Sequence, residues 1–289
     1  MSAATAQKRK ELLAFIQREV VTEPAVQSVV VIGSVAAGTA RSDSDIDAVV
    51  FLDPYDLYAV PAEFQWRPED GSFHSIFVEV EGAVQFDFKR LDLAEWSKPT
   101  HVWPEPLLGE LSEGWAAYDP DGRVGRLVTE RTAYPDEVRR ERLDEALIQL
   151  DLLLDDSNAE RVWVSLGPHQ AHARLHSAWD YLVQAIFAYN CRWRTWRSRE
   201  LSHLAKLPWL PDGLAAQMLE AMNALSETEA GYRRRLEILQ ALFNQVITRF
   251  QEDGLYGSNP ISEAFIRRND EPGRSWKIAE WSQRHLARK

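Results

Sequence analysis

Cysteine is nearly absent: Cys191 is the only one in 289 residues. A single thiol excludes an internal disulfide and a cysteine-built zinc site, and it agrees with a reducing compartment. Cys191 itself is expected within a helix, as a core residue. Long hydrophobic runs are missing as well. No stretch approaches the roughly 18–20 uninterrupted apolar residues that a bilayer span needs, and the opening MSAATAQKRKELLAF has no apolar core of a secretory signal. The expectation is a cytoplasmic protein with no membrane partner. Positive charge is scarce: 33 Lys and Arg stand against 44 Asp and Glu, a formal net charge of −11. That balance argues against a general nucleic-acid binder, and against a polymerase or RNA-tailing enzyme, which would want a basic path. It leaves room for a cationic substrate.

What is present suffices for a large core, with 45% hydrophobic residues and 10% aromatics. Residues 5–20 place Leu12, Leu13, Phe15 and Ile16 towards one side of an amphipathic helix. Val29 to Ile32 is short, β-branched and stopped by glycine, as a buried strand is, and Ile46 to Leu52 reads as a second strand. FHSIFVEVEGAVQFDFKRL alternates apolar and polar residues on both sides of Glu81-Gly82, which predicts a hairpin. The intervening PYDLYAVPAEFQWRPEDGS suits a short helix and a loop. From Tyr134-Pro135-Asp136 onward the periodicity is helical, with helices expected over PDEVRRERLDEALIQLDLLLDD, from His169 to Cys191, after Pro211, and over SETEAGYRRRLEILQALFNQVITRFQED before GLYGSNP breaks the pattern. The expected fold class is α+β. A mixed β-sheet domain over residues 1–134 precedes an α-helical bundle domain over 135–289.

The chemistry concentrates in GSVAAGTARSDSDID, which follows the first strand. Asp45 and Asp47 are two apart, so on an extended chain both carboxylates point to one face. Two close carboxylates repel unless a divalent cation lies between them, and hard oxygen ligands favour Mg²⁺, which completes its shell with phosphate and water. Gly33 lets the backbone approach a phosphate. The Ser34 hydroxyl and the amides that follow can bond its oxygens, Gly38 permits the turn, and Arg41 either meets a triphosphate or is a solvated loop residue. The bland alternative is a strand-to-helix turn followed by an incidental Asp-x-Asp.

The whole stretch fits G-S-x-A-x-G-x-x-R-x-x-S-D-I-D and so resembles the nucleotidyltransferase superfamily of polymerase-beta-like fold, including the aminoglycoside and lincosamide nucleotidyltransferases. The resemblance implies a mixed sheet, two Mg²⁺ ions, ATP or another NTP as donor, and a third carboxylate on a later strand. It assigns Asp45, Asp47 and Asp87 to metal and catalysis, with Glu79 and Glu81 as alternatives for the third position, and Gly33, Ser34, Arg41 and Ser44 to the nucleotide. It implies transfer of an NMP to a hydroxyl of a small molecule, with the helical domain helping to choose that acceptor and aminoglycoside-like antibiotics among the candidates. A protein-adenylylating enzyme of toxin–antitoxin type and a catalytically silent nucleotide-binding regulator are the alternatives. The silent reading predicts a lost carboxylate, and all three are present.

LHSAWDYLVQAIFAYNCRWRTWRSRELSHLAKLPWLP looks like a stretch found in other bacterial members. His169, His172 and His176 fall on one helix face and offer metal ligands or ordinary packing. Trp179, Trp193, Trp196 and Trp209 offer an aromatic wall or a core. Arg192, Arg194, Arg197 and Arg199 offer phosphate contacts or a solvated turn, Asp180 and Tyr181 a contact for a cationic acceptor, and Asn190 a helix cap.

Overall fold

A computed structural model describes residues 2–224, 228–271 and 274–288 of the chain. The chain divides into two compact units, one of Met1–Ala133 with Trp193–Trp196, the other of Tyr134–Arg192 with Arg197–Lys289. Together the mixed sheet and the helices that follow make the class α+β.

The first unit opens with α1 (Ala3–Phe15), prolonged by a wider turn over Ile16–Val20. Leu12, Phe15 and Ile16 are buried, whereas Leu13 is half exposed. The β-branched runs form β1 (Val26–Val31) and β2 (Ile46–Leu52), joined through the single turn α2 (Gly33–Ala36). There follow β3 (Glu63–Trp66), β4 (Phe73–His74), β5 (Val84–Asp92), α3 (Leu93–Trp96), α4 (Glu105–Glu113), β6 (Trp115–Tyr118) and α5 (Arg123–Thr132). The sheet order is β4-β3-β5-β2-β1-β6. β2 pairs parallel with β5, and every other pairing is antiparallel.

The predicted hairpin around Gly82 does not form. β5 takes β3 as its antiparallel partner, and residues 75–83 carry no strand. Alternation over Val78–Val84 had suggested a strand, yet a strand exists only where a partner closes its ladder, and EFQW from the expected helix-and-loop region supplies that partner. Phe15 explains the preference. Its ring centroid lies 5.4 Å from Phe64, 4.8 Å from Phe86 and 5.7 Å from Phe88, so β3 and β5 are drawn together over one aromatic cluster.

The second unit contains α6 (Asp136–Leu154), α7 (Asp156–Tyr189), α8 (Arg197–Leu204), α9 (Leu214–Asn223), α10 (Glu229–Glu252), α11 (Pro260–Arg268) and α12 (Ile278–Leu286). α7 is interrupted at Gly167, whose backbone leaves helical space just before Pro168, so its second segment starts one residue before the predicted His169. α8 was not expected within the basic stretch. Cys191 is not a helical core residue: it is half-buried with φ 53°, and it closes α7 through Cys191 N–H to Ala188 O (3.1 Å) and Arg192 N–H to Phe187 O (3.0 Å). That is the left-handed closure usually given to glycine. α11 docks on α6 through buried Asp144, which accepts from Tyr256 Oη (2.7 Å) and from Arg267 Nε (3.0 Å) and Nη2 (2.8 Å). No helix is long and apolar enough to cross a membrane among the described residues.

Candidate active site

The sheet decides where the carboxylates fall. On β5 the apolar Val84, Phe86 and Phe88 are buried, so alternation turns Gln85, Asp87 and Lys89 to the other face. Burying each phenylalanine is worth about 2–3 kcal/mol, enough to hold this register against a one-residue slip. The parallel pairing sets Asp47 directly beside Asp87, and Asp45 sits two residues earlier on the approach to β2. Carboxylate oxygens of Asp45, Asp47 and Asp87 all lie within 4.8 Å of one another. Asp47 is buried, Asp45 intermediate and Asp87 exposed, so the cluster has a protected floor and an open side. The donors are carboxylate oxygens alone, a set that suits a hard divalent cation such as Mg²⁺.

The turn beside this cluster is braced from two directions. Gly33 ends β1 with φ 64°, a conformation that costs most residues about 1–2 kcal/mol. Its amide donates to Oε2 of Glu110 at 3.2 Å, and Glu110 is buried on α4. The Gly33 N–H is therefore engaged within the protein. The next amides, of Ser34 and Val35, begin a one-turn helix that offers them no carbonyl, and the half-buried Ser34 hydroxyl stands beside them. From α1, Arg9 Nη2 donates to the carbonyls of Val35 (3.3 Å) and Ala36 (3.4 Å), Thr5 Oγ1 accepts from Ala40 N–H (3.1 Å), and Ser2 Oγ donates to Ala40 O (3.0 Å). Beyond Gly38, Arg41 is solvated: its side chain is 78% exposed and forks onto Asp43 at 3.0 and 3.2 Å. The Ser44 hydroxyl accepts from the Arg41 amide at 3.0 Å, closing the turn that leads into Asp45. Gly33 and Ser34 thus lie at the end of β1, and Arg41 and Ser44 on the outer turn.

Residues 10–98 match the family model of the nucleotidyltransferase domain. The match contains the whole turn and all three aspartates. Among solved structures, a nucleotidyltransferase-like protein from Exiguobacterium sibiricum 255-15 is similar at 13% identity and TM-score 0.38, covering 96% of this chain and 85% of that one. No curated protein matches the chain significantly.

Several groups of the first unit are not singled out by the sequence. Glu110 and Arg9 lie outside residues 10–98 and act only through tertiary contact. Lys89 shares the outer face of β5 with Asp87, and its Nζ lies 5.6 Å from the ring centroid of Trp196, which is 41% exposed. The alternation of β5 was the signal that would have found it. Glu63 of β3 stands opposite Asp87 on its other side, so a row of acidic residues, Asp47, Asp87 and Glu63, crosses three strands. Glu79 and Glu81 fall in the strandless segment, and neither belongs to the close carboxylate group.

The remaining candidates separate. Trp193 is buried and donates to Thr132 O at 2.9 Å. Trp179 and Trp209 pack against the helical core. Asn190 does more than cap α7: its amide donates to Trp209 O (2.9 Å) and its carbonyl accepts from Trp209 N–H (2.9 Å), fastening the Leu-Pro-Trp segment to the helix end. Arg197 pairs with Asp180, and Arg194 donates its backbone N–H to Glu105 at 3.1 Å. His169, His172 and His176 are not gathered with other ligands: among the described residues the aspartates are the one group of three or more His, Cys, Asp or Glu close enough to share an ion.

Proposed function

We propose that this chain is a Mg²⁺-dependent nucleotidyltransferase of the EC 2.7.7 type, moving AMP from ATP, or an NMP from another NTP, to a hydroxyl of a small molecule. The observation that carries this reading is the convergence of Asp45, Asp47 and Asp87 within 4.8 Å, next to a turn whose Ser34 and Val35 amides the short helix leaves without a carbonyl, and a serine hydroxyl. Asp45, Asp47 and Asp87 would hold two divalent ions. When bound, such ions neutralise phosphate charge and acidify an acceptor hydroxyl. Ser34 and the amides of Ser34 and Val35 take non-bridging phosphate oxygens, while Gly33 gives the backbone its close approach. Arg41, released from Asp43, is in reach of solvent-side phosphate, and Ser44 keeps the outer turn closed. The acceptor oxygen bonds to the α-phosphorus, the bond from that phosphorus to the β-phosphate bridging oxygen breaks, and pyrophosphate leaves. Asp87, the exposed member of the three, takes the hydroxyl proton.

The helical domain over residues 135–289 selects the acceptor in this reading. A cationic acceptor of aminoglycoside-like kind is supported by the net charge of −11 and by the resemblance of the motif to antibiotic nucleotidyltransferases. The test is pyrophosphate release from each NTP with Mg²⁺, with and without a panel of aminoglycosides and lincosamides, beside Asp47→Asn. Drug-dependent release that falls by about 10³-fold in the variant is the expected result. Nucleotide binding without release on any panel member would remove the drug acceptor and point to a metabolite or protein hydroxyl. Release unchanged in Asp47→Asn would sink the carboxylate mechanism.

A further inference from the structure

The helical unit contains a cavity of about 350 Å³ between α7, α8, α9 and α10. Its volume is at the lower end of the range of small-molecule sites. The walls are apolar, with Trp179, Leu239 and Leu242 prominent, and Met218 and Met222 supply adaptable surface. Met222 is 71% exposed and Leu201, also in the wall, 51%, so apolar surface that a ligand would cover stands open to water. The polar side chains lining the cavity among the described residues are Arg235, His172 and His176, in a protein whose net charge is −11.

Arg235 is oriented by neutral partners: Nη2 donates to Ala224 O at 2.9 Å and Nη1 meets His172 Nδ1 at 3.3 Å, which places two of five N–H donors, and neither of these two partners among the described residues is anionic. The His172 ring is fixed edge-on to Trp163 (6.1 Å) and Tyr232 (5.7 Å), themselves stacked at 5.2 Å. Tyr232 is anchored in turn by its hydroxyl on Ala159 O at 3.2 Å. A guanidinium set by packed aromatics at the edge of an apolar cavity favours a ligand with a planar anionic group and an apolar body.

We infer that this cavity binds a small organic acid, an aromatic or branched aliphatic carboxylate, with its carboxylate at Arg235 and its body against Trp179 and the methionines. The Arg235 guanidinium disfavours a cationic acceptor, so this is a site additional to the proposed acceptor's and does not rest on the nucleotidyl-transfer reading.

The experiment is calorimetric titration of the full chain, without nucleotide or Mg²⁺, with 2-naphthoate, 2-naphthylmethanol and 2-naphthylmethylamine. The expected order is saturable one-to-one binding of the acid, about tenfold or more tighter than the alcohol, with the amine weakest. Arg235→Gln should bring the acid down to the level of the alcohol and leave the alcohol unchanged. Met222→Glu, at an exposed position, should weaken the acid more than the alcohol, and it serves if Arg235→Gln does not fold. Equal binding of all three probes, no saturable binding, or indifference of the acid to Met222→Glu would overturn the inference. So would sedimentation showing a dimer that Met222→Glu dissociates, combined with no naphthoate binding, since a second copy would then be the occupant.

Discussion

Glu110 is the residue on which the glycine-serine turn most visibly depends. A buried carboxylate accepting the Gly33 amide fixes the strained glycine, and through it the direction of Ser34. Truncation to Ala leaves a buried N–H unsatisfied, a cost of about 1–3 kcal/mol, and loosens the turn. Glu110→Ala should therefore weaken Mg-ATP binding about tenfold while reducing turnover less, and Glu110→Gln, which keeps an acceptor oxygen, should recover most of the affinity. Calorimetric titration of Mg-ATP against both variants, with melting curves as control, makes the comparison. Equal losses in both would assign Glu110 to folding rather than to positioning. The aspartates were legible in the sequence because two of them are a strand's period apart and the third sits between two phenylalanines. Glu110 was not, since it reaches Gly33 from 77 residues away and nothing local marks it.

At the scale of elements, the strands with strong β-branched runs and the long helices followed from periodicity, and β2 falls on the residues expected. The failures lie where partner choice decides. Residues 78–83 alternate well and form no strand, whereas EFQW is brief yet forms β3, because the aromatic cluster under Phe15 rewards Phe64 and Trp66 more than any register of Val78 and Val80. The docking of α11 was equally hidden, as its anchor joins residues 123 apart in sequence. There, burial first and then the hydrogen bond to Asp144 push the Tyr256 hydroxyl well above its usual range, and the Asp144 bond does the same for Arg267. Both groups thus keep their protons at neutral pH and donate to one carboxylate. Asp144→Ala strands those donors. The loss should be about 2–3 kcal/mol, under the 3–5 of a fully buried pair because the Arg267 side chain is 37% exposed. Urea unfolding measures it, and increased hydrogen exchange confined to α11 and its contacts would locate it.

For the whole molecule, the first compact unit comprises Met1–Ala133 together with Trp193–Trp196. Those four residues give Trp193 to Thr132, the Arg194 amide to Glu105 and the Trp196 ring to Lys89. A fragment ending at Ala133 should fold less stably than the same unit in the full chain. Thermal melts of residues 1–133 against the intact protein test this, and equal transitions would show the segment to be dispensable.

Gly109 faces this segment, and a Cβ there would meet Arg194 O at 2.8 Å, so backbone touches backbone with no room for a side chain. The consequence concerns recombination. A chimera that joins residues 1–134 to a foreign helical domain would inherit the aspartates and the glycine-serine turn but lack the residues that pack on α4. To exchange helical domains between related chains, the crossover would have to keep a four-residue strip, Trp193–Trp196, with the first unit.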